Sequence, residues 1–118
     1  MGSFEDLEVW KRSCRLCVEI YKTLDACKEF GFRDQATRSA LSIPSNIAEG
    51  YERNTPKEYT RFLKIAKGSC GELRTQLYIG IELGLFERAK GVSYAQEVME
   101  LAKMLQGIIQ KVDAKAEK

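Results

Sequence analysis

Apolar residues recur at alternating spacings of three and four along four long segments of this chain, and this spacing restricts its fold more than any other feature. The first segment shows it in Leu7, Trp10, Cys14, Cys17, Tyr21 and Leu24. Residues so spaced lie on one face of an α-helix, which must then be buried against a neighbour. The 118 residues include only two prolines, so long helices are allowed. We predict an all-α fold: an antiparallel, left-handed four-helix bundle forming a single domain over residues 1–118.

Capping signals set the expected bounds of the helices. The strongest is a threonine followed by Pro56 at the first helical position and Glu58 two residues later. Gly31 is expected to end the first helix, because glycine readily adopts the left-handed conformation of a helix stop. The candidate N-caps are Ser3, Thr55 and Ser93. The predicted helices cover about 4–28, 34–52, 56–84 and 93–113.

Pro44 lies inside the second predicted helix. Proline removes one backbone donor, and its ring clashes with the carbonyl group of Ala40. The apolar spacing nevertheless continues through Ile47, so we expect a kink rather than a break.

The residues that usually carry enzyme chemistry are scarce. The chain has no histidine, no phosphate-binding loop and no dinucleotide-binding or serine-hydrolase motif. Cys14 and Cys17 form a C-x-x-C pair, but they lie in a helical pattern, and Cys27 and Cys70 add no matching pair. We interpret the four cysteines as reduced, small apolar residues. The sequence predicts a protein that is not an enzyme and holds no metal or cofactor.

Charge and hydropathy favour a cytoplasmic protein. The formal net charge is +2, which permits a nucleic-acid partner without implying one. Glu5, Asp6 and Glu8 near the N-terminus argue against a signal peptide, and no stretch is apolar enough to cross a membrane.

The segment Ser42–Gly50, with the sequence SIPSNIAEG, resembles the signature of the bacterial four helix bundle proteins encoded in intervening sequences of 23S ribosomal RNA genes. Further matching pieces are Phe4–Trp10, Asp34-Gln35, Gly68–Leu73 and Lys103–Leu105. The resemblance implies a four-helix bundle assembled into a ring of five subunits. It also implies a distant similarity to the accessory protein of diversity-generating retroelements, which binds nucleic acid and a reverse transcriptase.

Polar residues lie among apolar ones in the second and third helices. The set comprises Arg38, Ser45, Asn46, Glu49, Ser69 and Glu72. They could form a binding site or a structural polar network between helices, and we favour the network because polar groups among apolar neighbours are usually satisfied within the protein. If the two helices pair around Asn54, the expected contacts are Glu49–Arg61, Glu72–Arg38 and Ala40–Ser69.

A row of cations follows the polar side of the third helix. It consists of Lys57, Arg61, Lys64 and Lys67, with Arg53 just before the helix, and these five residues are called the basic row below. Cations at spacings of three and four could track a phosphate backbone, but taken alone the row is better explained as a solvated helix face, because mixed charges on an exposed helix are ordinary. Two functions therefore remain open: binding to the backbone of RNA or DNA, or recruitment of a protein partner as a scaffold. Both fit a homo-oligomer, expected to be a pentamer, with no membrane role.

Overall fold

Four α-helices joined by short connections make up the computed structural model, which describes residues 2–117. The helices are α1 (Glu8–Leu24), α2 (Phe30–Glu52), α3 (Pro56–Glu82) and α4 (Arg88–Ala116). A 3₁₀ turn at Phe4–Asp6 precedes α1. The all-α prediction is confirmed, while the first and last residues of the predicted domain lie outside the described range.

Each helix packs against the next one in the chain, and α1 also packs against α4. Within residues 2–117, no Cα atom of α1 lies within 8 Å of one in α3, nor any Cα atom of α2 within 8 Å of one in α4, so the four helices occupy the corners of a bundle. Contacts between α2 and α3 run from Ser42 with Ser69 to Gly50 with Phe62, which means that these two helices run in opposite directions. The bundle measures 50 × 21 × 18 Å. Its long axis is close to the length of one helix of 29 residues, about 44 Å.

The apolar faces of all four helices meet in one core. Its most completely buried large side chains come from every helix and include Ile20, Ile43, Ile47, Leu63, Leu73, Leu101 and Leu105. Cys17 and Cys70 are buried among them, as the interpretation of small apolar cysteines predicts. Burial of such side chains stabilises a fold by about 1.5–3 kcal/mol each, so this shared core is the main source of stability.

The start of α1 differs from the prediction. Ser3 donates its backbone N–H to Asp6 Oδ2 over 3.1 Å, but this cap closes the 3₁₀ turn. Leu7 then has an extended backbone, and α1 begins only at Glu8. The predicted end was also wrong: α1 ends at Leu24, and Gly31 lies in the first turn of α2, which begins at Phe30 rather than at 34.

The strongest capping signal is confirmed at α3. The Thr55 hydroxyl accepts a hydrogen bond of 3.2 Å from the backbone N–H of Glu58, with Pro56 at the first helical position. The helix ends at Glu82, two residues before the predicted bound at Gly84. Gly84 has a φ of +68°, which suits a residue without a side chain. The backbone N–H groups of Leu85 and Gly84 donate to the carbonyls of Gly80 and Ile81, closing the helix end.

The predicted start of α4 at Ser93 was wrong. The helix begins five residues earlier, at Arg88, after Glu87, and it continues to Ala116. Ser93 is an exposed residue inside the helix and caps nothing. Pro44, in contrast, lies inside a continuous α2, so the chain does not break there, as predicted.

Candidate nucleic-acid interface

The basic row lies on the exposed outer face of the N-terminal half of α3 and on the connection before it. All five of its side chains are exposed. No acidic residue occurs in α3 between Glu58 and Glu72, so the cations from Arg61 to Lys67 have none beside them in sequence. The fold brings these cations together because four of them lie on the continuous helix α3 and Arg53 lies on the connection just before it.

Two arginines of the row are held by carboxylates and by an aromatic ring. Arg53 Nε lies 2.9 Å from Glu49 Oε2, and Arg61 Nε lies 3.1 Å from Glu58 Oε2. Both guanidinium groups also lie over the ring of Phe62, at 4.9 and 4.5 Å from its centroid. The hydrogen bond from Arg61 is the main cause of a lowered pKa at Glu58, so this carboxylate stays ionised at neutral pH. The ring and the acids pre-orient the two arginines but also offset part of their charge.

The three lysines of the row are less constrained. Lys67 donates from Nζ to Gln106 Oε1 on α4 over 2.7 Å, and this neutral partner leaves its charge uncompensated. Within residues 2–117, Lys57 and Lys64 have no carboxylate oxygen within the 4.0 Å of an ion pair. The row therefore consists of three uncompensated cations and two that are paired with carboxylates.

A small polar network crosses the α2–α3 interface. Ser69 donates its hydroxyl to Ser42 Oγ over 2.8 Å, and Asn46 Nδ2 donates to both Ser42 Oγ and the Ser42 carbonyl, each at 2.8 Å. Ser42 is the member absent from the predicted set. Its spacing of four residues from Asn46 is the sequence signal that places both on one face of α2.

The other predicted members lie outside this network. Arg38, Ser45, Glu49 and Glu72 are exposed. Glu49 and Arg61 do not pair with each other as expected. Glu49 pairs instead with Arg53, four residues later, and Arg61 pairs with Glu58, three residues earlier. No ion pair between Arg38 and Glu72 occurs in the described chain. Local partners are favoured here because their backbones are already fixed three or four residues away.

Sequence patterns gave no indication of the most developed ion cluster. Arg12 on α1 forms two hydrogen bonds with Glu97 on α4, and its Nη2 lies 2.8 Å from Glu100. These residues line a groove of about 360 Å³ between the two helices, together with Arg15 and Tyr94. The cluster joins the first helix to the last, and its geometry suits cohesion between them.

The cysteines and carboxylates do not come together in a way that suits a metal ion. Among residues 2–117 no group of three or more cysteine, aspartate or glutamate side chains has suitable geometry. All four thiols are free, and burial raises the pKa of Cys70 to about 12. Burial also raises the pKa of Cys14 and Cys17, which keeps their reactive thiolate forms rare. In the described range, no helix is both long and apolar enough to cross a membrane.

Sequential packing of four helices and an exposed cationic face define a small helical-bundle protein. Residues 5–107 match the family model described as 23S rRNA-intervening sequence protein. The chain belongs to this family, as the resemblance in its second helix predicts.

A solved relative supports the same assignment. The chain is similar to the crystal structure of a protein of unknown function from the S23 ribosomal protein family of Bacteroides thetaiotaomicron, with 30% sequence identity and a TM-score of 0.80. The match covers 86% of this chain and 97% of the other. A search of the curated proteins found no match.

Proposed function

We propose that this protein is a non-enzymatic, cytoplasmic, left-handed helical bundle. Five subunits assemble into a ring, and the basic row binds the phosphate backbone of RNA or DNA. One observation carries the proposal: four exposed cations share one face of α3, with the exposed Arg53 on the connection before it, and three of the five lack a compensating charge. Phosphate contacts depend on charge rather than sequence, which suits a surface with no obvious base-reading group. The number five rests on the family resemblance.

Assembly would strengthen a weak surface. A single row of five cations makes few phosphate contacts, but a ring repeats the row once in every subunit. Simultaneous engagement of several rows by one nucleic acid raises the overall affinity without any new contact.

The alternative is a scaffold that recruits a protein. The pairing of Arg53 and Arg61 with Glu49 and Glu58 favours it, because acids beside the row repel phosphate. In that case the basic row only solvates its helix face.

Binding to a generic RNA duplex and hairpin at about 50 and 200 mM salt separates the two functions. Contacts from the row should make affinity fall by about two to three orders of magnitude over this range. The variant R53Q/R61Q/K64Q/K67Q should lose most of the binding measured at low salt.

The matched control removes four cations elsewhere, in K28Q/R38Q/R88Q/K90Q. These residues are exposed and have no carboxylate within ion-pair distance in the described chain. The control should retain clearly tighter binding than the row variant. Absence of binding at low salt, or equal losses in the two variants, would refute the row as the site and favour the scaffold.

A further inference from the structure

A recess of about 220 Å³ lies at the end of the bundle where α2 connects to α3. Its lining combines two tyrosines with the connection and one residue of α4: Tyr51, Asn54, Thr55, Pro56, Tyr59 and Val112, together called the tyrosine pocket. Sites for drug-sized ligands have volumes of about 300–1,000 Å³, so the tyrosine pocket suits a single flat ring system rather than a larger ligand.

The two tyrosine rings form a corner of the pocket. The ring centroids of Tyr51 and Tyr59 are 5.7 Å apart, and their planes meet at 84°. A planar group stacked on one ring therefore meets the other ring edge-on, and both arrangements are favourable between aromatic groups. Both side chains are half-buried. Burial raises the pKa of Tyr59, so its hydroxyl stays protonated at neutral pH and remains a hydrogen-bond donor.

Asn54 adds an amide to the pocket at a position where glycine is the easier residue. Its φ of +70° lies in the left-handed region, which glycine adopts without steric cost and asparagine more readily than most other residues. Within residues 2–117 the Asn54 amide has no hydrogen-bond partner, nor has the hydroxyl of Tyr51 or Tyr59. An amide offers both donors and an acceptor, the combination that matches the edge of a nucleobase.

The tyrosine pocket adjoins the basic row at its N-terminal end. Arg53 directly precedes Asn54, and Lys57 directly follows Pro56. The other charged residues next to the lining in sequence are of both signs: Glu52, Glu58, Lys111 and Asp113. Charge alone therefore does not select the occupant of the pocket. The selection rests on the two rings, the unpartnered amide and the continuity of the pocket with the row.

We infer that the tyrosine pocket holds one unpaired nucleobase of the nucleic acid whose backbone lies on the basic row. This inference rests on the proposed function and narrows its ligand to RNA or DNA with a single-stranded end or a bulge. A paired base cannot enter the pocket without leaving its stack, whereas an unpaired base avoids most of that cost. Stacking on a tyrosine tolerates every base, so the pocket adds affinity without requiring a particular sequence.

Duplexes that differ in a single base test the pocket. Two RNA duplexes each carry one unpaired nucleotide at one end, an adenosine in the first and an abasic nucleotide in the second, so both have the same number of phosphates. In fluorescence anisotropy at about 50 mM salt, the wild type should bind the adenosine duplex at least about fivefold more tightly than the abasic one. Overhangs at either strand end and DNA versions of both duplexes are measured as well. A preference for the base in any of these pairs is the expected result, and the pair that shows it identifies the nucleic acid.

Substitutions within the pocket should remove the preference for the base. Y51L deletes one ring and should bring the two affinities together, whereas Y51F keeps the ring and should keep most of the preference. N54G deletes the amide and should reduce the preference without loss of thermal stability, because glycine suits the positive φ. The matched control Y78L makes the same change at a tyrosine of α3 that is 48% exposed and lies outside the pocket, and it should bind like the wild type.

The outcomes separate the pocket from the proposed function. Equal binding of the adenosine and abasic duplexes by the wild type, or a preference that Y51L retains, would overturn the pocket while leaving backbone binding by the row intact. Should circular dichroism show that Y51L has lost helix content, N54G decides, and an unchanged preference in N54G overturns the pocket. Absence of binding to every duplex at low salt would overturn the proposed function together with this inference.

Discussion

Arg12 is held between two glutamates of α4, and its side chain is 24% exposed. Its hydrogen bonds with Glu97 raise the pKa of Arg12 and are the main cause of the lowered pKa of Glu97. A paired, partly buried arginine and carboxylate stabilise a fold more than exposed pairs do, because solvent and salt screen them less. The cluster therefore contributes to stability in the ionised form of Glu97.

Removing the Glu97 charge should reduce the acid sensitivity of the fold. The pKa of Glu97 is lower in the folded state than in the unfolded state, so its contribution is complete above the unfolded pKa, about 4.3, and is lost as pH falls through the folded pKa. Urea unfolding at pH 7 should show E97Q less stable by about 1–2 kcal/mol. At pH 3 the gap between E97Q and wild type should narrow. E19Q, at an exposed glutamate of α1, should show no such change, and a constant gap for E97Q would contradict the assignment.

Gly50 is required by close packing between α2 and α3. A Cβ atom there would lie 2.7 Å from Phe62 Cβ and 3.1 Å from the Tyr59 carbonyl oxygen. G50A should therefore destabilise the protein by about 1–3 kcal/mol in thermal or urea unfolding, because Phe62 Cβ and the Tyr59 carbonyl cannot move without shifting the backbone of α3.

G107A serves as the matched control, since no atom lies within 4 Å of a Cβ at that glycine of α4. It should stabilise the helix by about 0.5–1 kcal/mol. Equal effects of the two substitutions would mean that the contact at Gly50 does not limit the α2–α3 distance.

At the scale of the helix, the cap expected at Thr55 for α3 is present, whereas the cap expected at Ser93 for α4 is not. T55A should destabilise the protein by about 1 kcal/mol, because the N–H of Glu58 loses its acceptor. S93A should be neutral or slightly stabilising, because Ser93 lies within α4 and alanine favours helix. Chemical denaturation of the two single variants measures the difference, and comparable losses would restore the predicted cap at Ser93.

The predicted helices agree with the structure along their apolar faces and differ at their ends. Apolar spacing identifies the buried face of each helix because the core is built from apolar side chains, such as those of Ile43 and Ile47. The bounds of α4 depend on tertiary packing that no local signal contains. Gly91, in the additional turn before Ser93, fits tightly against the side chains of Ile81 and Phe86.

The candidate sites also divide into those that positions along the helices predict and one that depends on the tertiary fold. The basic row and the contact of Asn46 with Ser69 through Ser42 follow from positions on one helix or on two adjacent ones. The Arg12–Glu97 bond joins residues 85 positions apart, and the sequence contains no register between the first helix and the last. The Arg12–Glu97 pair therefore follows only from the tertiary structure.

In the whole molecule, the basic row and the Arg12–Glu97 cluster lie on different helices. The row follows the N-terminal half of α3 and the connection before it, whereas the cluster joins α1 to α4. Under the proposed function, self-association would repeat the row once in every subunit, and one long nucleic acid could then contact several rows at the same time.

Self-association should make binding depend on the length of the nucleic acid. Per binding site, the wild type should bind a long RNA duplex at least about tenfold more tightly than a duplex too short to span two subunits, because several rows can contact the long duplex at once. R53Q/R61Q/K64Q/K67Q should lose this preference for the long duplex, whereas K28Q/R38Q/R88Q/K90Q should retain it. Fluorescence anisotropy with labelled duplexes of both lengths measures the affinities of all three proteins. A wild type that binds both lengths equally well would show that each subunit acts alone, because repeated rows must favour the longer duplex.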